Sequence, residues 1–143
     1  MRVARVRAAF PATAGGVFWI GVSCHSPEEV PAAESAGADY TFLGPIFETA
    51  AKLPYGPPLG LDALREAARR THIPLLALGG ITVERVGPCL EAGATGIAGI
   101  SIFQKAGSIA ERVRELRGVR ASANREGNQE TSQAAGTKDV KKV

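Results

Sequence analysis

The chain has 143 residues, 45% of them hydrophobic and 22% charged, with a formal net charge of +3. That balance suits one domain around one core, and no apolar run approaches the roughly 18 residues of a membrane span. Five Lys or Arg and three Asp or Glu follow Gly118, leaving twelve and eleven before it, so the folded part is near neutral and no nucleic-acid face is expected.

Arg2 to Phe10 sets Val3, Val6 and Phe10 at helical spacing between arginines. No continuous apolar stretch follows, so a secretory signal is not expected and a cytoplasmic location is. Phe18 to Val22 reads as a short strand. Cys24 and Cys89 make no disulfide framework, and free thiols are the expectation. Ser26-Pro27-Glu28-Glu29 predicts a helix start, with Ser26 as cap, Pro27 at the first helical position and Glu29 completing a capping box. Gly37 then stops that helix in the left-handed conformation.

Asp39 to Leu43 is the next strand, and a Gly- and Pro-rich loop runs from Gly44 to Gly60. Leu61 to Arg70 is helical, with Leu61, Leu64 and Ala68 on one face. Ile73 to Leu78 is continuously apolar, as in a parallel strand buried on both faces. Thr82 opens a helix that Gly93 stops, and Pro88 inside it predicts a kink or a short first turn. Gly96 to Ile102 is the last strand. Ser108 and Glu111 form a capping box for a helix ending near Arg117. From Arg120 onward there is no aromatic residue and almost no aliphatic one. Residues 1–117 are therefore read as the folded unit and 118–143 as a disordered tail.

One helix followed by four βα units implies an α/β fold with parallel strands and right-handed crossovers. Ala36-Gly37-Ala38 and Ala92-Gly93-Ala94 repeat one helix-stop phrase before two of the strands. A doubly wound, flavodoxin-like sheet is the alternative. Polar residues at the C-terminal ends of all four strands, and phosphate-type motifs after the last two, favour half of a (βα)8 TIM barrel: four parallel strands with their helices.

Three groups of residues could carry chemistry. Leu78-Gly79-Gly80-Ile81-Thr82 joins a strand to a helix, and paired glycines let backbone N–H groups approach an anion. Gly99-Ile100-Ser101 ends the next strand similarly, which favours a phosphate site over a mere tight turn. Ser23 and His25 project to one side of an extended strand end and Cys24 to the other. A Cys-His nucleophile pair is therefore not expected, and His25 is either a proton-transfer group or a structural closure of the strand end. Thr49 and Lys52 lie on the loop after the second strand, where a flexible cation can close over an anion. His72, at the opposite end, is read as structural, and Arg65, Arg69 and Arg70 as a solvated helix face. No Cys or His pair has zinc spacing, and no metal ligand is assigned.

Five phrases occur in order. They are Gly21-Val22-Ser23-Cys24-His25-Ser26, Gly37-Ala38-Asp39-Tyr40, Gly44-Pro45-Ile46-Phe47-Glu48-Thr49 with Lys52, Ala77-Leu78-Gly79-Gly80-Ile81-Thr82, and Ala92-Gly93-Ala94 with Gly96-Ile97-Ala98. Together they resemble the thiamine phosphate synthase / TenI family, over Arg2 to about Leu116. The resemblance implies the C-terminal half of a (βα)8 barrel, beginning in its fourth helix. It also implies a thiazole phosphate lying on Gly79, Gly80, Ile100 and Ser101. Synthase members join a pyrimidine methyl diphosphate to a thiazole phosphate, using Mg2+ and releasing diphosphate. TenI-type members aromatise a thiazole phosphate carboxylate by moving a proton, without a metal.

Synthases usually carry Thr-x-Thr-Lys where this chain reads Thr49-Ala50-Ala51-Lys52. The resemblance therefore leans to a TenI-like tautomerase, with His25 as acid and base and Ser23, Thr49 and Lys52 as substrate contacts. The alternatives are a synthase lacking its N-terminal half, or a non-catalytic half barrel. No cofactor is implied for this chain alone, and Mg2+ only if the missing half is supplied. The partners implied are the small thiazole substrate and either a second copy or a complementary half barrel, with no membrane and no nucleic acid.

Overall fold

The computed structural model describes residues 2–10, 18–49, 57–104, 107–119 and 121. Along them run α1 (Arg2–Ala9), β1 (Gly21–Cys24), α2 (Glu29–Ser35), β2 (Tyr40–Leu43) and α3 (Gly60–Arg69). Then come β3 (Leu75–Leu78), α4 (Val83–Glu91), β4 (Gly96–Ala98), α5 (Ser101–Gln104) and α6 over residues 109–119. The strands lie in the order β1-β2-β3-β4, each parallel to the next. Right-handed crossovers taken always in one direction put every connecting helix on the same side. That is the arc of a barrel. A doubly wound sheet reverses its strand order and carries helices on both faces.

The helix-facing side holds the core. Cys24, Leu43, Leu75 and Ala77 from the strands are buried there with Val30, Ala33, Leu64, Ala67, Val86 and Cys89 from α2, α3 and α4. The other face carries Ser23, Tyr40, Phe42, Leu76 and Leu78, all partly or largely exposed. Tyr40 lies across Gly21, where a Cβ would come within 2.3 Å of the ring, and stands edge-on to Phe42. The apolar run in β3 predicts burial on both faces. Only Leu75 and Ala77 are buried, because no described element covers the second face.

The two Ala-Gly-Ala phrases end α2 and α4 identically. Gly37 (φ +97°) and Gly93 (φ +98°) are left-handed. Ala38 N–H bonds Ala33 O at 3.0 Å and Gly37 N–H bonds Glu34 O at 2.9 Å, while Ala94 and Gly93 make the matching bonds to Cys89 and Leu90. These are Schellman closures, and the next strand starts three residues after each glycine. Thr71 Oγ1 donates to Glu34 at 2.7 Å, which lashes the end of α3 to α2 at this lower rim.

Several boundaries differ from the sequence expectation. The first strand is Gly21–Cys24, not Phe18–Val22, because Asp39 occupies the ladder below it. Asp39 accepts Ile20 N–H at 2.6 Å, and its own N–H bonds Ile20 O at 2.8 Å. Arg7 completes this corner, pairing with the Asp39 carboxylate and donating twice to Gly37 O at 2.9–3.0 Å. Phe18 and Trp19 are left exposed.

The helix expected from Ser26 begins at Glu29, after a turn. Glu29 does reach back to a backbone N–H, but to that of His25, at 2.7 Å. α4 continues through Pro88 to Glu91. β4 ends at Ala98, and Ser101–Gln104 forms a short helix instead of extending the strand, which buries Ile102 and leaves Ile100 73% exposed. In α6, Ser108 Oγ accepts Glu111 N–H at 3.4 Å, as the capping box requires. That helix passes the expected end at Arg117, since Val119 packs against the core beside Gly87. The expected tail beyond residue 121 lies outside the described residues. No described helix is long and apolar enough to cross a membrane.

Candidate active site

Parallel pairing brings the C-terminal ends of all four strands to one rim, so His25, Gly44, Gly79 and Gly99 each begin a loop there. The loops are joined by backbone contacts. Gly44 N–H bonds Cys24 O at 3.1 Å, Ile46 N–H bonds Leu78 O at 2.9 Å, and Phe47 N–H bonds Gly79 O at 3.1 Å. Gly44 has no room for a side chain, since a Cβ would meet Leu78 O at 2.3 Å. The chain thus leaves β2, across a cis Gly44–Pro45 peptide, and folds over the end of β3.

Gly79 (φ +95°) and Gly80 (φ +64°) are both left-handed. A Cβ on Gly79 would lie 2.7 Å from Pro45 Cα, and one on Gly80 would lie 2.6 Å from Glu48 O. Two successive left-handed residues turn the peptide groups of this segment before α4 starts. Thr82, extended at the N-cap, hydrogen-bonds the Glu84 carboxylate and holds it below the usual carboxylate range.

His25 is exposed at the end of β1, and its Nδ1 lies 2.8 Å from Gly44 O. Ser23 is exposed on the uncovered face, in register with Phe42. Cys24 is buried on the helix side, where burial and the Glu29 carboxylate push its thiol up to about 11. Burial does the same to Cys89, also to about 11. Neither thiol is an activated nucleophile.

Thr49 is half-buried at the end of the described part of the β2 loop, and Lys52 lies outside the described residues. Ile100 precedes α5 and Ser101 is its first residue, beyond the end of β4 and not in the strand. His72 is exposed at the opposite rim beside Glu34. Arg65 and Arg70 pair with Asp62 and Glu66 along α3.

Sequence reasoning missed Arg85. Its guanidinium donates to Gly80 O at 2.7 Å and lies 4.6 Å over the ring of Phe47. The available signal was its spacing, three residues after Thr82 and so one helical turn above the N-cap, on the side of the glycine turn. Among the described residues no group of three or more His, Cys, Asp or Glu is placed to hold a metal ion.

The thiamine monophosphate synthase family matches residues 1–103 of this chain. A thiamine-phosphate synthase of Methanocella arvoryzae is 43% identical over 102 residues, covering 71% of this chain and 48% of that protein. One of Chlorobium luteolum is 46% identical over 100 residues, covering 70% and 47%. The structure of a thiamine phosphate pyrophosphorylase from Pyrococcus furiosus superposes with a TM-score of 0.72 at 32% identity, over 86% of this chain and 56% of that one. The chain spans about half the length of the curated relatives it matches. With the sequential parallel strands and the glycine turn in the expected places, the chain belongs to the thiamine monophosphate synthase family.

Proposed function

We propose that this chain supplies the thiazole-phosphate-binding half of a thiamine-phosphate synthase barrel. The observation that carries the reading is the Gly79–Gly80 turn, two left-handed glycines pressed against the Pro45–Glu48 backbone and leading into the nine-residue α4. Backbone N–H groups at such a turn, with the positive end of a helix behind them, suit a phosphate monoester. Ile100 and Ser101 flank the same anion from the next strand end. Ser23, Thr49 and Lys52 contact the rest of the substrate. The names of the relatives support the synthase over the tautomerase to which Ala51, standing where synthases usually carry Thr, leans.

The synthase joins a pyrimidine methyl diphosphate to the thiazole phosphate and releases diphosphate. No Mg2+ ligand is assigned among the described residues, and no step through the ion is given to them. A complementary half barrel, in the same chain or as a partner, then holds the diphosphate and covers the open sheet face. One observation favours the tautomerase as a second reading. His25 Nδ1 is engaged by Gly44 O, which leaves Nε2 of the neutral ring as a base at the rim.

Two assays on the full chain separate the readings. In the first, thiazole phosphate and pyrimidine methyl diphosphate are supplied with Mg2+, with and without the N-terminal half of the Methanocella arvoryzae relative, and diphosphate release is followed. Release that needs the added half, and is lost in Gly80→Ala, is the expected result. In the second, the thiazole phosphate carboxylate is incubated in D2O and deuterium uptake is read by NMR. Uptake without diphosphate release turns the reading to the tautomerase. Failure to bind thiazole phosphate at all sinks both.

A further inference from the structure

Arg85 touches both loops of the proposed phosphate site. Its guanidinium takes the Gly80 carbonyl at 2.7 Å and stacks over Phe47, whose own N–H bonds Gly79 O at 3.1 Å. Phe47 Cβ and O in turn close the space beside Gly80, at 2.8 Å from where a Cβ would stand. Gly80, Phe47 and Arg85 are therefore one packed unit joining the start of the β2 loop to the turn before α4.

Two consequences follow for an anion. A carbonyl oxygen is the group of a glycine turn that repels one, and here it is drawn to a cation. The C=O and N–H of a trans peptide also point opposite ways, so fixing Gly80 O fixes the direction of the Ile81 N–H. A guanidinium suits this task because it is planar, permanently charged and able to stack on a ring while donating in its own plane.

We propose that Arg85 is a positioning residue of the phosphate site. It orients the Gly80–Ile81 peptide and, through Phe47, holds the β2 loop against the turn. This rests on the phosphate reading above.

Hydrogen exchange without ligand, followed by titration with inorganic phosphate, tests it on the full 15N-labelled chain. In Arg85→Met the Phe47 N–H is expected to exchange about tenfold faster, while the sheet amide of Thr41 changes less than about twofold. Phosphate, read from the Gly79 to Ile81 amides, is expected to bind about tenfold more weakly, and Arg85→Lys, which keeps the charge but not the planar stacking fork, to recover only part of either loss.

Unchanged Phe47 exchange in Arg85→Met overturns the inference. Faster exchange with unchanged phosphate affinity also overturns it, leaving Arg85 a structural tie. Wild-type chain that binds no phosphate overturns the phosphate reading itself, before any variant is made.

Discussion

His25 Nδ1 and the Gly44 carbonyl oxygen, 2.8 Å apart, tie together the ends of β1 and β2. A carbonyl only accepts, so Nδ1 carries the proton and the neutral ring keeps its lone pair on Nε2. The backbone contact fixes the tautomer, and the exposed position leaves Nε2 within reach of a ligand at the rim.

Proton transfer performed at this rim should therefore depend on Nε2 and not on the bond to Gly44. His25→Ala is expected to slow deuterium uptake by the thiazole phosphate carboxylate by about 10²–10⁴-fold, the usual range for a general acid or base. Phosphate affinity should stay within about twofold. His25→Asn retains a donor toward Gly44 O, so it should keep the wild-type melting temperature while losing the same activity. NMR-monitored exchange and thermal melts read the two effects separately.

Gly80→Ala and Gly60→Ala separate backbone strain from steric closure. Gly60 has φ +77° with nothing within 4 Å of a Cβ, whereas Gly80 has φ +64° and backbone at 2.6 Å. Gly60→Ala should cost about 1–2 kcal/mol, the left-handed penalty alone. Gly80→Ala should cost about 2–5 kcal/mol, because overpacking is added. Urea midpoints at constant m value measure both.

Adjacent leucines of β3 report which sheet face is covered. Leu75 is buried against the helices and Leu76 is only half-buried on the opposite face. In the chain alone, Leu75→Ala should cost about 2–5 kcal/mol and Leu76→Ala about 1 kcal/mol. Adding a complementary half barrel should raise the cost of Leu76→Ala toward that of Leu75→Ala. Denaturation with and without the added half gives the comparison.

The Asp39 corner makes stability fall in acid. The Ile20 N–H, helped by Arg7, holds the Asp39 carboxyl below its ordinary value, against burial, the second-largest effect, which pushes it up. A folded-state pKa below the unfolded one contributes stability that is complete above the unfolded value, near 3.8 for this group. It is lost as pH falls through the lower, folded value. Asp39→Asn should be less stable than wild type at pH 7 and converge toward it near pH 3, as urea unfolding at the two pH values would reveal.

The β-α alternation, the helix stops at Gly37 and Gly93 and the glycine turn at 79–80 were legible because each is a local signal. Helix stops and tight turns are decided by a few consecutive residues. The shifted first strand was not legible, because Asp39 sets it from 19 residues beyond Ile20, held in turn by Arg7, 32 residues from Asp39 in sequence. Phe18 and Trp19 look like strand residues and end up exposed. The short helix at Ser101 was hidden for a similar reason. Gly96 to Ile102 is apolar enough for a strand, yet burying Ile102 requires the chain to turn after Ala98. In the site, His25 was visible from its residue type. Arg85 was not, since an arginine early in a helix looks like a solvated one until Phe47 is brought beneath it.

The matched closures at Gly37 and Gly93 set the starting points of β2 and β4 from the lower rim. The loops proposed to bind the substrate leave from the upper rim, beyond the opposite ends of the strands. Lengthening or exchanging the segment between Thr49 and Gly60 should therefore alter which substrates are accepted without sliding one strand past another. A substrate site on the upper rim would then be open to rewriting while the strand alignment is kept at the other end.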